Sequence, residues 1–325
     1  MMTPRKLAVL VIAALVVLLA GLWLTSQRNT ATTARVGSPV LPQFEALLNE
    51  ITRVRIEAKG DAATLVRGAG GWIVEERGFR ADPAKLRRLL IDLSKLHVIE
   101  EKTSDPARYA QIGVEDPAPG ATGTRIVAST ADTGFALLVG KVADATSVYV
   151  RLPDSAQSLL AAPRIVADAD PRHWIDTALV DLPADRVRSV AVAPATGPAW
   201  RASRDAATAP LVLQDLPKGT VQRSPDGVTP VAALLGNLHA EDARAAPAAG
   251  GTPGPRVLVR TFDGVEVELH GRVEGDRHYV GGTARSTGAA SAAEAAAIAA
   301  RLAGFEFELP RYKYEALFRP LADFT

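Results

Sequence analysis

Five histidines and three adjacent acidic pairs are the side chains in this sequence best suited to chemistry. The histidines are His97, His173, His239, His270 and His278. Zinc sites take ligands at short helical or loop spacings, and no two of these histidines have such a spacing. His270 and His278 flank a hairpin turn and are expected to face each other across it. With no thiolate or carboxylate beside them, surface histidines are the preferred reading over a metal site. The acidic pairs are Glu75-Glu76, Glu100-Glu101 and Glu241-Asp242. Two carboxyls can cleave a glycosidic bond when they stand several ångströms apart across the sugar. Strand neighbours point to opposite faces, so adjacency favours solvated strand edges. The last two pairs each follow an expected helix and should share a structural position.

Ser38, Ser94 and Ser129 lack the strand-to-helix turn of a nucleophile elbow. Gly68-Ala-Gly-Gly71 precedes a strand, whereas a phosphate cradle opens a helix after one, so the cluster reads as a hairpin turn. Trp72, Trp174 and Trp200 could line a ligand groove, but their place beside strands favours core packing. No catalytic, cofactor-binding or metal-ligating residue is assigned.

Composition narrows the function classes further. Lys and Arg number 37 against 36 Asp and Glu, for a net charge of +1. A nucleic-acid binder needs a basic excess to neutralise phosphates, so no nucleic-acid partner is expected. The absence of cysteine removes disulfides, thiolate metal sites and thiol nucleophiles. It permits a location outside the cytoplasm without requiring one.

The elements that would carry these side chains begin with an apolar run, Leu7 to Leu24, preceded by Arg5 and Lys6 and ending beside Trp23. About 20 apolar residues cross a bilayer as a helix, and flanking cations favour the cytoplasmic side. Residues 1–26 are therefore read as a cytoplasmic N-terminus and anchor in the inner membrane via Leu7 to Leu24, with the body periplasmic. A cleaved signal peptide would have a shorter apolar core and an earlier small-residue site. Residues 27–48, rich in Thr, Ala, Ser, Pro and Gly, read as a flexible tether.

The body reads as one unit repeated. Ile51 to Ile56 and Arg186 to Val192 alternate like half-buried strands. A tryptophan follows in each, Trp72 and Trp200, which makes their strands equivalent. Helices are expected over Asp82–Leu93 and Thr229–Leu238, with Asp82 and Thr229 as N-caps and Pro83 and Pro230 as first helical residues. Hairpins follow: 125–129 with 135–139, and 256–261 with 265–270 around Phe262-Asp263-Gly264, whose Asp-Gly suits a tight turn. Further strands are expected at 147–151 and 277–280. Ser291 to Leu302 reads as an alanine-rich helix. The fold class expected is α+β, an N-terminal transmembrane helix followed by two tandem copies of an antiparallel-sheet-plus-helix unit. The copies cover 49–181 and 182–303, and 304–325 forms a separate strand-like segment and tail.

These features together resemble the bacterial DUF4340 family, a domain of unknown function. The resemblance rests on the anchor, the Trp72 strand with its following helix, and Tyr109-Ala-Gln-Ile-Gly-Val-Glu-Asp-Pro117. Trp174-Ile-Asp176 with the Leu182 to Val192 strand, and the ending Phe305 to Tyr314, complete it. Phe305 stands where the family pattern has tryptophan, a difference that bears on packing. Members are often encoded beside ABC-type transporter components similar to those of gliding motility. The resemblance therefore implies ABC-type transporter subunits as partners, and it carries over no catalytic residue. The function expected is a membrane-anchored periplasmic accessory or scaffolding protein. The alternative is an envelope hydrolase acting on cell-wall or lipid material, which would show polar side chains converging in one pocket.

Overall fold

The computed structural model describes residues 36–224, 227–247 and 254–325. Alternating apolar residues dominate these stretches, and they form strands. The first sheet holds β1 (Arg53–Ala58), β2 (Asp61–Gly68), β3 (Gly71–Val74), β4 (Phe79–Arg80) and β5 (His97–Glu101). It continues with β6 (Thr124–Ser129), β7 (Gly134–Val142), β8 (Val148–Arg151) and β9 (Ser158–Ala162). Their order is β4-β3-β2-β1-β6-β7-β8-β9-β5, and every pair is antiparallel.

β10 (Ala178–Val180) lies between the sheets and pairs with β14 (Leu238–His239). The second sheet holds β11 (Val187–Ala193), β12 (Trp200–Ser203), β13 (Val212–Gln214) and β15 (Asp242–Ala245). β16 (Arg256–Thr261), β17 (Val265–Glu274), β18 (Arg277–Ser286) and β19 (Phe305–Leu309) complete it. Its order is β13-β12-β11-β16-β17-β18-β19-β15, the order of β3 to β5 in the first sheet with each label raised by ten.

The α+β expectation is corrected. The described chain is mostly antiparallel sheet with few helices, the longest being Pro83–Ser94 with 12 residues. No helix among the described residues is long and apolar enough to cross a membrane. The span expected over Leu7 to Leu24 lies outside the described residues. The expected pair of sheet-plus-helix units is corrected in detail too. Trp72 is in β3, but Trp200 is in β12, which pairs with β11 as β2 pairs with β1. The helix expected over Thr229–Leu238 is α-helical only over Thr229–Ala233 and tightens to a 3₁₀ turn at Leu234–Asn237. Val228, not Thr229, occupies its cap position, with no side-chain cap bond. Helix Pro83–Ser94 keeps the expected start: Asp82 accepts from the Ala84 and Lys85 amides at 2.9 and 3.1 Å. Leu86, Leu89 and Leu93, at helical spacing, face the core.

Two boundaries move. β19, assigned by sequence to a separate tail, is an interior strand between β18 and β15. Residues 37–48, assigned to a flexible tether, belong to the fold. The Gly37 and Val40 amides donate to the Val98 and Leu96 carbonyls, and the Val98 amide donates to Ser38. This pairing covers the free edge of β5 and would not register as periodicity in so short a segment. Phe44 is fully buried and meets Phe135 edge-on with centroids 5.0 Å apart. A single buried cluster runs through both sheets, and Phe79 bridges them by packing on Phe305 and Phe307 at 4.9 and 5.2 Å.

Candidate functional site

The segment joining the two sheets builds two adjoining concavities against helix Pro83–Ser94. It is held in place by backbone bonds from Asp82 N to the Trp174 carbonyl (2.7 Å) and from Asp176 N to the Arg80 carbonyl (2.9 Å). These bonds also cover the short edge strand β4. Trp174 is buried and its indole donates to the Asp168 carbonyl at 2.6 Å.

The larger concavity is a groove of about 830 Å³. Leu89, Ala162, Pro163, Val166 and Trp174 give it an apolar floor, and Lys85, Arg88, Lys95, His97 and Arg164 stand around it. Helical spacing explains the near wall, because Lys85, Arg88, Asp92 and Lys95 recur at intervals of three and four along one face. Arg88 pairs with Asp92 at 2.9 Å. The Lys85 ammonium donates to the His173 carbonyl at 2.5 Å and lies 4.9 Å from the Trp174 ring centroid. Among the described residues no carboxylate pairs with Lys95 or Arg164. The groove thus combines apolar surface with an excess of positive charge.

The smaller concavity, about 550 Å³, is polar and is lined by Asp82, Lys85, Arg172, His173, Thr177 and Glu241 among others. Most of its polar groups already serve the fold. Asp82 caps the helix, Arg172 is bound to Asp170 at 2.6 Å, and His173 Nδ1 meets Asp168 at 2.5 Å. The Arg172 guanidinium holds the Asp170 carboxyl down to about 2, against the opposing effect of burial. Thr177 Oγ1 lies 3.0 Å from His239 Nδ1, the arrangement in which an imidazole could take a hydroxyl proton. No carboxylate orients that imidazole among the described residues.

The other singled-out residues are dispersed. His270 lies opposite Gly281 on β18, and His278 lies opposite Val273, so the two histidines do not face each other. The register carries their side chains to opposite faces. His278 instead stacks edge-on to Tyr314 at 5.0 Å. Glu75 pairs with Arg53 at 2.7 Å, and Glu76 accepts from the Thr64 amide. Glu100 pairs with Lys102, and Asp242 pairs with Arg77. Ser94 donates to the Ile91 carbonyl. Gly68 and Gly71 close the β2–β3 hairpin, where Gly71 has φ 113°. No group of three or more His, Asp or Glu among the described residues could hold a metal ion.

The Tyr109 to Pro117 segment is a structural knot on the first sheet. Tyr109 donates to the Ala156 carbonyl at 2.5 Å. The Arg151 guanidinium lies 4.6 Å from the Tyr109 ring centroid and donates from Nε to the Val114 carbonyl at 3.0 Å. Gly113 ends the short helix Tyr109–Ile112 at φ 70°, which a side chain would resist. Gly140 on β7 lets the Ile112 and Gly113 backbone lie directly on the sheet.

The model of the family described as Domain of unknown function (DUF4340) matches residues 72–244, which include β3, the knot and the junction. No curated protein and no solved structure matches the chain. The chain belongs to the DUF4340 family.

Proposed function

We propose that this chain is a membrane-anchored periplasmic accessory or scaffolding subunit that partners an ABC-type transporter or another envelope complex. The observation that carries the reading is where the N-terminal segment joins the fold. Residues 37–40 pair along Leu96 to Val98, directly beside Lys95 and His97 of the groove. If Leu7 to Leu24 spans the inner membrane, the twelve residues from Thr25 to Val36 reach no more than about 40 Å. The groove is then held near the bilayer, where tethering raises its effective concentration toward a membrane partner.

Affinity capture of the intact protein from detergent-solubilised membranes tests this. Recovery of ABC-type transporter subunits is the expected result. A reporter fused after Thr325 should be active only outside the cytoplasm. A body that works fully when exported without Met1 to Leu24, with no transporter subunit recovered, would overturn the proposal.

The contact between Thr177 and His239 favours one second reading, an envelope hydrolase. A hydrolase would lose orders of magnitude in rate on Thr177→Ala or His239→Ala. An accessory subunit carrying either change should complement a deletion strain at normal protein level.

A further inference from the structure

We infer that the groove between helix Pro83–Ser94 and the Ala162–Trp174 segment receives an acidic segment of a membrane partner protein, inserted through an apolar side chain. The partner's location rests on the anchored-subunit reading above, whereas the chemistry of the groove does not.

Three observations select this occupant. The floor is apolar and most open to solvent at Val166, which is 63% exposed beside the half-buried Ala162 and Pro163 and the buried Leu89 and Trp174. A β-branched side chain left in water at the mouth of an apolar concavity gains by being covered. Asp92 at the rim is taken up by Arg88, and the charge left without a carboxylate partner is positive. Lys95 and Arg164 have no carboxylate partner among the described residues, in a chain whose charges otherwise nearly cancel. Their positions invite carboxylates from outside, and rim charges of this kind act chiefly on encounter rate and salt dependence. The third observation is shape. A flat headgroup layer would rest on the exposed cations and leave a concavity of about 830 Å³ unfilled, whereas one side chain from a protein segment can enter it and cover Val166. If Leu7 to Leu24 anchors the chain, a connection of at most about 40 Å keeps the groove within reach of a partner's membrane-proximal residues.

The test uses the full chain in its own membrane. A photoreactive benzophenone amino acid replaces Val166, with the comparably exposed Val273 of β17 (53%) as the control position. After irradiation of cells, the cross-linked peptides are sequenced by mass spectrometry. The expected adduct is a peptide of net negative charge with an apolar residue at the attachment site, from a membrane protein. Its yield should fall about tenfold in the Lys95→Glu, Arg164→Glu double variant and should decline with salt in isolated membranes. Both side chains are exposed, so an unchanged melting temperature will show that the variant still folds.

Adducts to lipid, adducts to a basic segment, labelling no stronger than at Val273, or a yield insensitive to the double variant would each overturn the inference. The outcome separates from that of the functional proposal. Capture of transporter subunits without a Val166 adduct rejects the groove and leaves the accessory role standing. An acidic adduct at Val166 in a chain that works fully when exported without Met1 to Leu24, with no transporter subunit recovered, does the reverse.

Discussion

Arg77 Nε lies 2.6 Å from Asp242 Oδ1, tying the turn after β3 to the edge strand β15 of the other sheet. Both side chains are largely shielded, 24% and 14% exposed. Exposed pairs contribute little to stability, but one shielded between two packed layers should couple them. A double-mutant cycle with Arg77→Ala and Asp242→Ala should give a coupling of about 1–2 kcal/mol in urea unfolding. Additive effects would mean that this ion pair does not couple the sheets.

Those apolar contacts centre on Phe79, which is buried against Phe305 and Phe307. Phe79→Ala should cost about 3–5 kcal/mol, because the neighbouring rings cannot collapse fully into the space left. Phe135→Ala, at a half-buried ring within the first unit, should cost less. A loss under about 1 kcal/mol at Phe79 in chemical denaturation would remove the aromatic bridge as a stabilising feature.

Parts of this arrangement were legible in the sequence, and the reasons differ by element. Helix Pro83–Ser94 announced itself through Asp82, Pro83 and the spacing of Leu86, Leu89 and Leu93. The β16–β17 hairpin did so through Asp263-Gly264, where Gly264 takes φ 93°. The pairing of residues 37–40 with β5 was not legible, because backbone bonds at a sheet edge leave no side-chain pattern. Trp200 misled because a tryptophan marks a strand without saying which strand of the hairpin it is on. The spacing of Lys85, Arg88 and Lys95 is the sequence signal that could have marked a cationic wall along the helix and its C-cap. Arg164 and Val166 had no such signal, since their position depends on a non-periodic segment pinned by contacts distant in sequence.

The Tyr109 to Pro117 segment has a physical role that can be tested at Arg151. This arginine is 5% exposed, donates to the carbonyls of Val114, Pro153 and Ser155, and pairs with Asp116 at 3.0 Å. Arg151→Met should cost about 3 kcal/mol, because buried carbonyls lose their donors. Arg151→Lys should recover less than half of that loss, since an ammonium cannot fork to several acceptors as a guanidinium does. Equal melting temperatures for the lysine variant and the parent would show that only the charge matters.

Acid should loosen the junction through Asp170. The Arg172 guanidinium is the main cause that holds this carboxyl down to about 2, and burial opposes it. In the unfolded chain an aspartate titrates near 4. A carboxyl depressed on folding contributes stability that is fully present above its unfolded value and is lost as pH falls through its folded value. The loss at the junction should therefore develop between about pH 4 and pH 2. Asp144 is also held to about 2, chiefly by the hydroxyl of Ser147, and supplies an internal control on an exposed turn. Carboxyl-detected NMR titration should find both midpoints near 2. Arg172→Gln should move Asp170 toward the ordinary aspartate range and leave Asp144 in place, and Ser147→Ala should do the reverse. Asp170→Asn should flatten the acid-induced loss at the junction, read from the Trp174 indole resonance. An Asp170 midpoint unmoved by Arg172→Gln would transfer the shift to the backbone amide of residue 172, which also donates to this carboxyl at 2.9 Å.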